Sequence, residues 1–237
     1  MPRIMASPEL VQYYATVAPF YEREMTLRTD LPACCELVSR TGARSVLDLG
    51  CGNGRLSRAL AGRTEVIGID VLTTLVPADP GFEFVRADMR DLPFAAGRFD
   101  LAIAANDPFA HLLDDGDRAR ALDEAQRVAR HVVVDGLSLT TADDARAQAG
   151  HLTREAVLPD GITRHERWSA VGAHRYRTTY RYQRGDALLA EATTDVRAWS
   201  ADEPALRGRA ARLYGGLDGR AHDREGSALV ISIGGAL

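Results

Sequence analysis

Asp48-Leu49-Gly50-Cys51-Gly52-Asn53-Gly54 carries a glycine at every second position, directly after an apolar run. Without side chains, such a stretch can turn sharply and let a ligand approach the backbone, and a helix opened there offers free N–H groups. The spacing narrows the ligand. A dinucleotide-binding loop reads G-x-G-x-x-G, but Arg55 stands where the third glycine would fall, and no Gly-Lys-Ser/Thr follows to make a P-loop. Asp70 ends the next apolar run, 20 residues after Gly50, where a carboxylate can accept both hydroxyls of a ribose. Asp88 ends the run after that, placed to reach an adenine edge. Glycines and carboxylates at the carboxyl ends of consecutive parallel strands lie where open α/β sheets bind ligands. A glycine-rich turn with no ligand is the alternative, and the two carboxylates weigh against it.

These residues need strands and helices to place them. Residues 8–22 show helical spacing of apolar groups, with Ser7 as N-cap and Pro8 in the first turn. A second helix is predicted over 30–40, capped by Asp30 and ended by Gly42. Short apolar runs at 45–50, 65–70, 82–88, 100–105 and 131–137 read as buried strands, with helices at 54–61 and 116–130 between them. Residues 71–81 contain Pro77 and Pro80, which leave little room for helix. From about Leu152 to 199 the pattern changes to long alternating runs broken by turn residues, predicting three or four antiparallel strands. Residues 201–217 read as a last helix and 228–233 as a last strand. The expectation is one domain over 1–237: a mostly parallel seven-stranded Rossmann-like α/β sheet with helices on both faces. An antiparallel β insertion at 152–199 precedes the last helix and serves as a lid or dimer surface.

With the motifs in place, a family resemblance is plain. Val46 to Gly54 resembles motif I of class I S-adenosylmethionine-dependent methyltransferases. Ala87-Asp88-Met89-Arg90-Asp91-Leu92-Pro93-Phe94 is similar to their motif III, and Arg98-Phe99-Asp100-Leu101-Ala102 to their fourth strand. The likeness covers about residues 9–137 and returns at 201–233. It implies S-adenosylmethionine as cofactor and no metal. Asp48, Gly50, Gly52 and Gly54 would lie near its methionine part, Asp70 on the ribose, and Asp88 with Met89 on the adenine. Cys51, Val71, Ala105, Asn106 and Tyr21 complete the implied cofactor contacts. The segment 71–81 departs from the family, being more compact than the helix usual there.

The acceptor side is read from the loop after the fourth strand, Ala105-Asn106-Asp107-Pro108-Phe109-Ala110-His111-Leu112. It resembles small-molecule methyltransferases in which a His-Leu pair follows that strand, and in sugar N-methyltransferases of antibiotic pathways the matching histidine is the base. His111 is therefore the first catalytic candidate; a capping or merely exposed imidazole is the other reading. Tyr14 and Tyr21, on the first helix with Tyr13, are candidates to contact substrate or cofactor, against a plain packing role. Asp107 is a substrate-binding candidate, although Asp-Pro is also a turn signal. Asn106-Asp107-Pro108-Phe109 lacks the second proline of the methyltransferases that act on amide or adenine nitrogens.

Composition bounds the function classes. The 237 residues have a formal net charge of -4, and all 29 basic residues are arginine, with lysine absent. That balance argues against reliance on counterion release from nucleic acid. Arginines and aromatics alternate through 164–184, but acidic residues are interspersed, and a sheet with one wet face shows the same alternation. Three cysteines, no secretory signal and no long apolar run lead to the expectation of a cytoplasmic protein with no membrane partner. The leading reading is methylation of a nitrogen or oxygen on a small molecule, such as a natural product or amino sugar, by an enzyme that can form a homodimer. An RNA or protein methyltransferase and a non-catalytic S-adenosylmethionine-binding protein are the alternatives.

Overall fold

The computed structural model describes residues 6–200, 202–223 and 228–237. Its core is a seven-stranded sheet in the order β10-β11-β5-β4-β1-β2-β3. The strands are β1 (Ser45–Leu49), β2 (Glu65–Asp70), β3 (Glu83–Arg86), β4 (Phe99–Ala104), β5 (Ala129–Leu137), β10 (Ala211–Tyr214) and β11 (Ala228–Ile233). The first five run parallel; β11 pairs antiparallel with β5, and β10 pairs antiparallel with β11. Because β1 has β2 on one side and β4 on the other, the order reverses there. This opens a crevice above the carboxyl ends of β1 and β4, where the glycine loop lies.

Side chains alternate across the sheet, as strand geometry requires. Val46, Leu101, Ile103 and Val133 pack with Cys34, Leu37 and Val38 of α2 (Leu31–Thr41) and with Leu56 and Leu60 of α3 (Arg55–Leu60). Leu47, Leu49, Ala102, Ala104, Val132 and Val134 face the other way, onto Ala121, Leu122 and Ala125 of α4 (Asp115–Val128). Helices thus cover both faces, which is why these strands are apolar on both sides.

A second sheet follows. It is the antiparallel meander β6 (Leu152–Val157), β7 (Thr163–Gly172), β8 (Arg175–Arg184) and β9 (Ala187–Arg197). The first helix, α1 (Pro8–Met25), belongs with this sheet. Its Val17 and Phe20 share a cluster with Leu158, Ile162, Tyr182 and Ala192, and Phe20 stacks on Tyr182 at 4.1 Å between ring centroids. Ser7 caps α1 as its sequence predicts, accepting from the Leu10 N–H at 3.2 Å.

Three expectations are corrected. No α-helix forms over 202–217: Pro204–Leu206 makes one 3-10 turn, and Ala211–Tyr214 pairs with β11 as an edge strand. Pro204 and Gly208 interrupt the run, and β11 offers an open edge; residue 201, the first of the predicted helix, lies outside the described residues. The insertion therefore precedes two closing strands and no last helix. A short helix absent from the sequence reading, α5 (Thr141–Gln148), precedes the insertion, capped by Thr140. Asp30 makes no side-chain cap on α2 and instead holds Arg55 at 2.6 Å. The segment 71–81 forms no helix, as Pro77 and Pro80 predict. Among the described residues no helix is long and apolar enough to cross a membrane.

The two sheets meet at Arg118 of α4, which is fully buried. Its Nε donates to the Leu112 carbonyl at 3.0 Å and its Nη1 to Glu203 at 3.2 Å, while Nη2 donates to the carbonyls of Phe109 and Arg197. Its guanidinium lies 4.4 Å from the Trp199 ring. Removing one partner of a buried ion pair leaves the other uncompensated, so Arg118→Ala should lower stability by about 3–5 kcal/mol. The midpoint of urea unfolding measures this, and a loss under 1 kcal/mol would contradict the role described.

Candidate active site

The glycine loop is fixed by its own backbone. Gly50 and Gly52 adopt φ of 68° and 55°, in the left-handed region that favours glycine. Cys51 donates its N–H to the Ile69 carbonyl at 2.8 Å, tying the loop to the end of β2. Asp70 then accepts from the Gly52 N–H at 3.0 Å through Oδ2 and from the Leu72 N–H at 2.9 Å through Oδ1. Each carboxylate oxygen so held keeps a further lone pair for a ligand hydroxyl. Burial raises the Asp70 pKa, while these backbone N–H groups oppose the rise. Asp48 lies beneath the loop and accepts from Ser57 Oγ at 2.7 Å; burial pushes its pKa up to about 6.

Across the crevice, the turn after β4 puts Asn106 and Asp107 at φ of 59° and 43°. Two consecutive non-glycine residues in this region signal a turn held by its surroundings. Asp107 provides the hold. It accepts from the Leu137 N–H at 2.6 Å and the Trp199 indole N–H at 3.2 Å, while its own N–H donates to the Asp135 carbonyl at 3.0 Å. Burial raises its pKa to about 6. This turn delivers the 3-10 segment Pro108–His111, where His111 Nε2 and the Tyr14 hydroxyl are 3.0 Å apart. His111 Nδ1 is buried without a hydrogen-bond partner, and desolvation pushes the imidazole pKa down to about 4.

A cavity of about 1500 Å³ joins these parts. Gly50, Gly52, Asp70, Val71, Asp88, Met89, Ala105 and Asn106 line it from the parallel sheet, with Tyr14, Tyr21, Asp107 and His111 around the rest. Such a volume holds a nucleoside-sized molecule together with a second small one.

Residues 46–131 match the family model described as a methyltransferase domain. This stretch is a methyltransferase domain. The enzyme class read from the sequence therefore stands, and S-adenosylmethionine is the cofactor that goes with a methyltransferase domain of this fold. No curated protein matches the sequence. Among solved structures, the CcbJ methyltransferase of Streptomyces caelestis is similar at 19% identity, with a TM-score of 0.71 over 95% of this chain and 98% of that one. The sugar N-methyltransferase KedS8 of a Streptoalloteichus species is similar at 18% identity and a TM-score of 0.60, over 93% and 87%. The glycopeptide N-methyltransferase MtfA, solved with S-adenosylmethionine, shares 18% identity at a TM-score of 0.52, over 86% of each chain.

Within the methyltransferase domain, three cofactor candidates stand apart from the main cavity. Asp48 and Cys51 open only to a small neighbouring recess, which Tyr21 and Asn106 also line. Gly54, at φ 76°, caps α3 where a Cβ would overlap the Phe82 ring, so its glycine serves packing. Asp88 does line the cavity, with Arg90 laid across its carboxylate at 2.6 and 2.9 Å. Tyr21 reaches over the loop, its hydroxyl 3.1 Å from where a Gly52 Cβ would stand.

Sequence reasoning passed over several lining residues. Leu72 and Leu75, from the compact segment, form wall beside Asp70. Asp135 interrupts an apolar strand, which was a readable signal, and accepts from the Asn106 N–H at 3.3 Å. The β insertion presents Arg164, Glu166, Trp168 and Tyr180 to the cavity, so only its other face is the wet one expected from the alternation.

The depressed His111 pKa has a consequence for stability. Above pH 6.5 the imidazole is neutral folded or unfolded; between about 6.5 and about 4 only the unfolded chain takes the proton, so stability falls with pH through that window. His111→Gln should remove this term. Its melting temperature should fall less than that of the original protein between pH 7 and pH 4.5, and equal falls would contradict the buried neutral imidazole.

Proposed function

We propose that the protein transfers a methyl group from S-adenosylmethionine to a nitrogen or oxygen of a small molecule of the natural-product or amino-sugar kind, in the cytoplasm. One observation carries this reading: Asp70 with the glycine loop and the Tyr14–His111 pair open into the same cavity, roofed by α1 and the second sheet. In it, Gly50, packed against Pro108, and Gly52, beneath the Tyr21 hydroxyl, border the methionine part, Asp70 takes the ribose hydroxyls, and Met89 with Asp88 borders the adenine. Bound S-adenosylmethionine supplies an electrophilic methyl group. The chain's task is to position the acceptor and exclude water, which is most of what an in-line displacement requires.

Tyr14 and His111 act on the acceptor side. With the hydrogen on Nδ1, neutral His111 Nε2 accepts from the Tyr14 hydroxyl, whose oxygen then faces the acceptor's N–H or O–H. That contact aims the acceptor's lone pair. Asp107 holds the turn that carries His111 and meets the acceptor only through it. The second sheet is a lid. Its exposed arginines pair with carboxylates, Arg177 with Asp195 at 2.8 Å and Arg181 with Glu191, which disfavours the RNA reading.

Calorimetry should show binding of S-adenosylhomocysteine and none of NAD. Asp70→Ala should weaken binding by about 1–3 kcal/mol, the cost of hydrogen bonds to a charged acceptor. NAD binding with no response to S-adenosylhomocysteine would sink the assignment. Tyr14→Phe and His111→Ala should each lower kcat by about 10²-fold, the cost of a misplaced acceptor, with cofactor affinity nearly unchanged. Because His111 titrates near 4, both should keep the original pH profile between 6 and 8. Variants within a few-fold of the original rate would make the pair a packing contact.

A further inference from the structure

The cavity half away from Asp70 has a composition that methyl transfer alone does not explain. Tyr13 lies 5.0 Å from Tyr14, 5.8 Å from Tyr180 and 6.2 Å from His111 between ring centroids, all in tilted or edge contacts, and all four line the cavity. Beside them, Arg164 holds two carboxylates, Glu24 at 2.9 Å and Glu166. The Trp168 indole donates to Glu166 at 2.9 Å, and the Tyr182 hydroxyl donates to Glu24. One guanidinium between two carboxylates leaves a negative charge in excess. A surplus charge away from water is costly unless a counter-charge arrives. An ammonium would provide one, and the phenol faces attract it further.

The same wall is poorly suited to phosphate. Lysine is absent from the chain. Five of the six arginines that line the cavity already hold carboxylates: Arg90 with Asp88, Arg146 and Arg154 with Asp143, Arg164 as above, and Arg177 with Asp195; the sixth, Arg28, stands 3.7 Å from Asp30, too far for a hydrogen bond. A phosphate beside Arg164 or at any other of these five would have to displace a carboxylate.

We propose that Tyr13, Tyr180, Glu24 and Glu166 form the acceptor subsite, and that it selects a substituted amine carrying no phosphate or nucleotide. This rests on the methyl-transfer reading and narrows it to nitrogen. The amine sheds its proton to water before reacting. Its lone pair then forms the C–N bond as the C–S bond breaks, with that electron pair left on sulfur. The positive charge moves from sulfur to nitrogen, toward the surplus carboxylate, so the wall stabilises the product cation and the transition state leading to it.

The test is calorimetry on the full chain saturated with S-adenosylhomocysteine, using tetramethylammonium, its neutral isostere tert-butanol, and pyrophosphate. Tetramethylammonium should bind at least about tenfold more tightly than tert-butanol, the scale of a desolvated cation–π contact, and pyrophosphate should not bind. Tyr180→Leu and Glu166→Gln should each erase most of that preference while S-adenosylhomocysteine affinity stays within a few-fold. Pyrophosphate binding, or tetramethylammonium no better than tert-butanol in the original protein, overturns the proposal even if a variant misfolds. Failure of S-adenosylhomocysteine to bind the original protein would instead defeat the methyl-transfer reading.

Discussion

Arg118 places a permanent charge where water does not reach, and the segments around the cavity are arranged by the oxygens it requires. Its fork takes carbonyls from Phe109 and Leu112, at either end of the His111 turn, and from Arg197 and Ala198, where β9 returns to the core. Glu203 supplies the counter-charge and shares it with Arg197 at 2.7 Å. A lysine could not replace this arginine, because one ammonium has three donors and no planar fork. The cost of burying the guanidinium falls only if all these segments are in place together, which couples the position of His111 to the end of the second sheet. Trp199 adds a second link, lying against Arg118 and donating to Asp107, which sets the strained turn before His111.

How legible this was in the sequence depended on how local each determinant is. The five parallel strands could be read because each is a short run rich in apolar residues, the first three closed by Gly50, Asp70 and Asp88, and strand alternation then fixes both faces. That Gly50, Asp70 and Asp88 border one crevice could be read because they sit at the ends of neighbouring strands. The supposed helix over 201–217 failed for the opposite reason: alanine, leucine and arginine favour helix locally, but pairing with β11 is a distant contact that overrides propensity. Helix α5 was hidden because only Ala147 in it is buried, leaving no apolar stripe to read. Tyr14 and His111 were each named, but they stand 97 positions apart and nothing between them says that they share a hydrogen bond. The Glu24–Arg164–Glu166 arrangement was still less visible, since charged residues on β-prone runs ordinarily face water.

The two halves of the cavity come from different sheets, and α1 joins them unequally. Toward the second sheet it is held by buried apolar groups, Val17 and Phe20 against Leu158, Ile162, Tyr182 and Ala192, and by Glu24 on Arg164. Toward the parallel sheet its contacts at the site are polar: Tyr14 on His111 and Tyr21 over Gly52. Apolar burial is lost outright when such a cluster opens, whereas a hydrogen bond broken in water is largely replaced by one to solvent. Separation of the two bodies therefore costs least along the line from Tyr21 to Tyr14, which is the line that covers the glycine loop. A cofactor that fills the space beneath Tyr21 and an acceptor that fills the space beside Tyr14 would each add contacts across this seam.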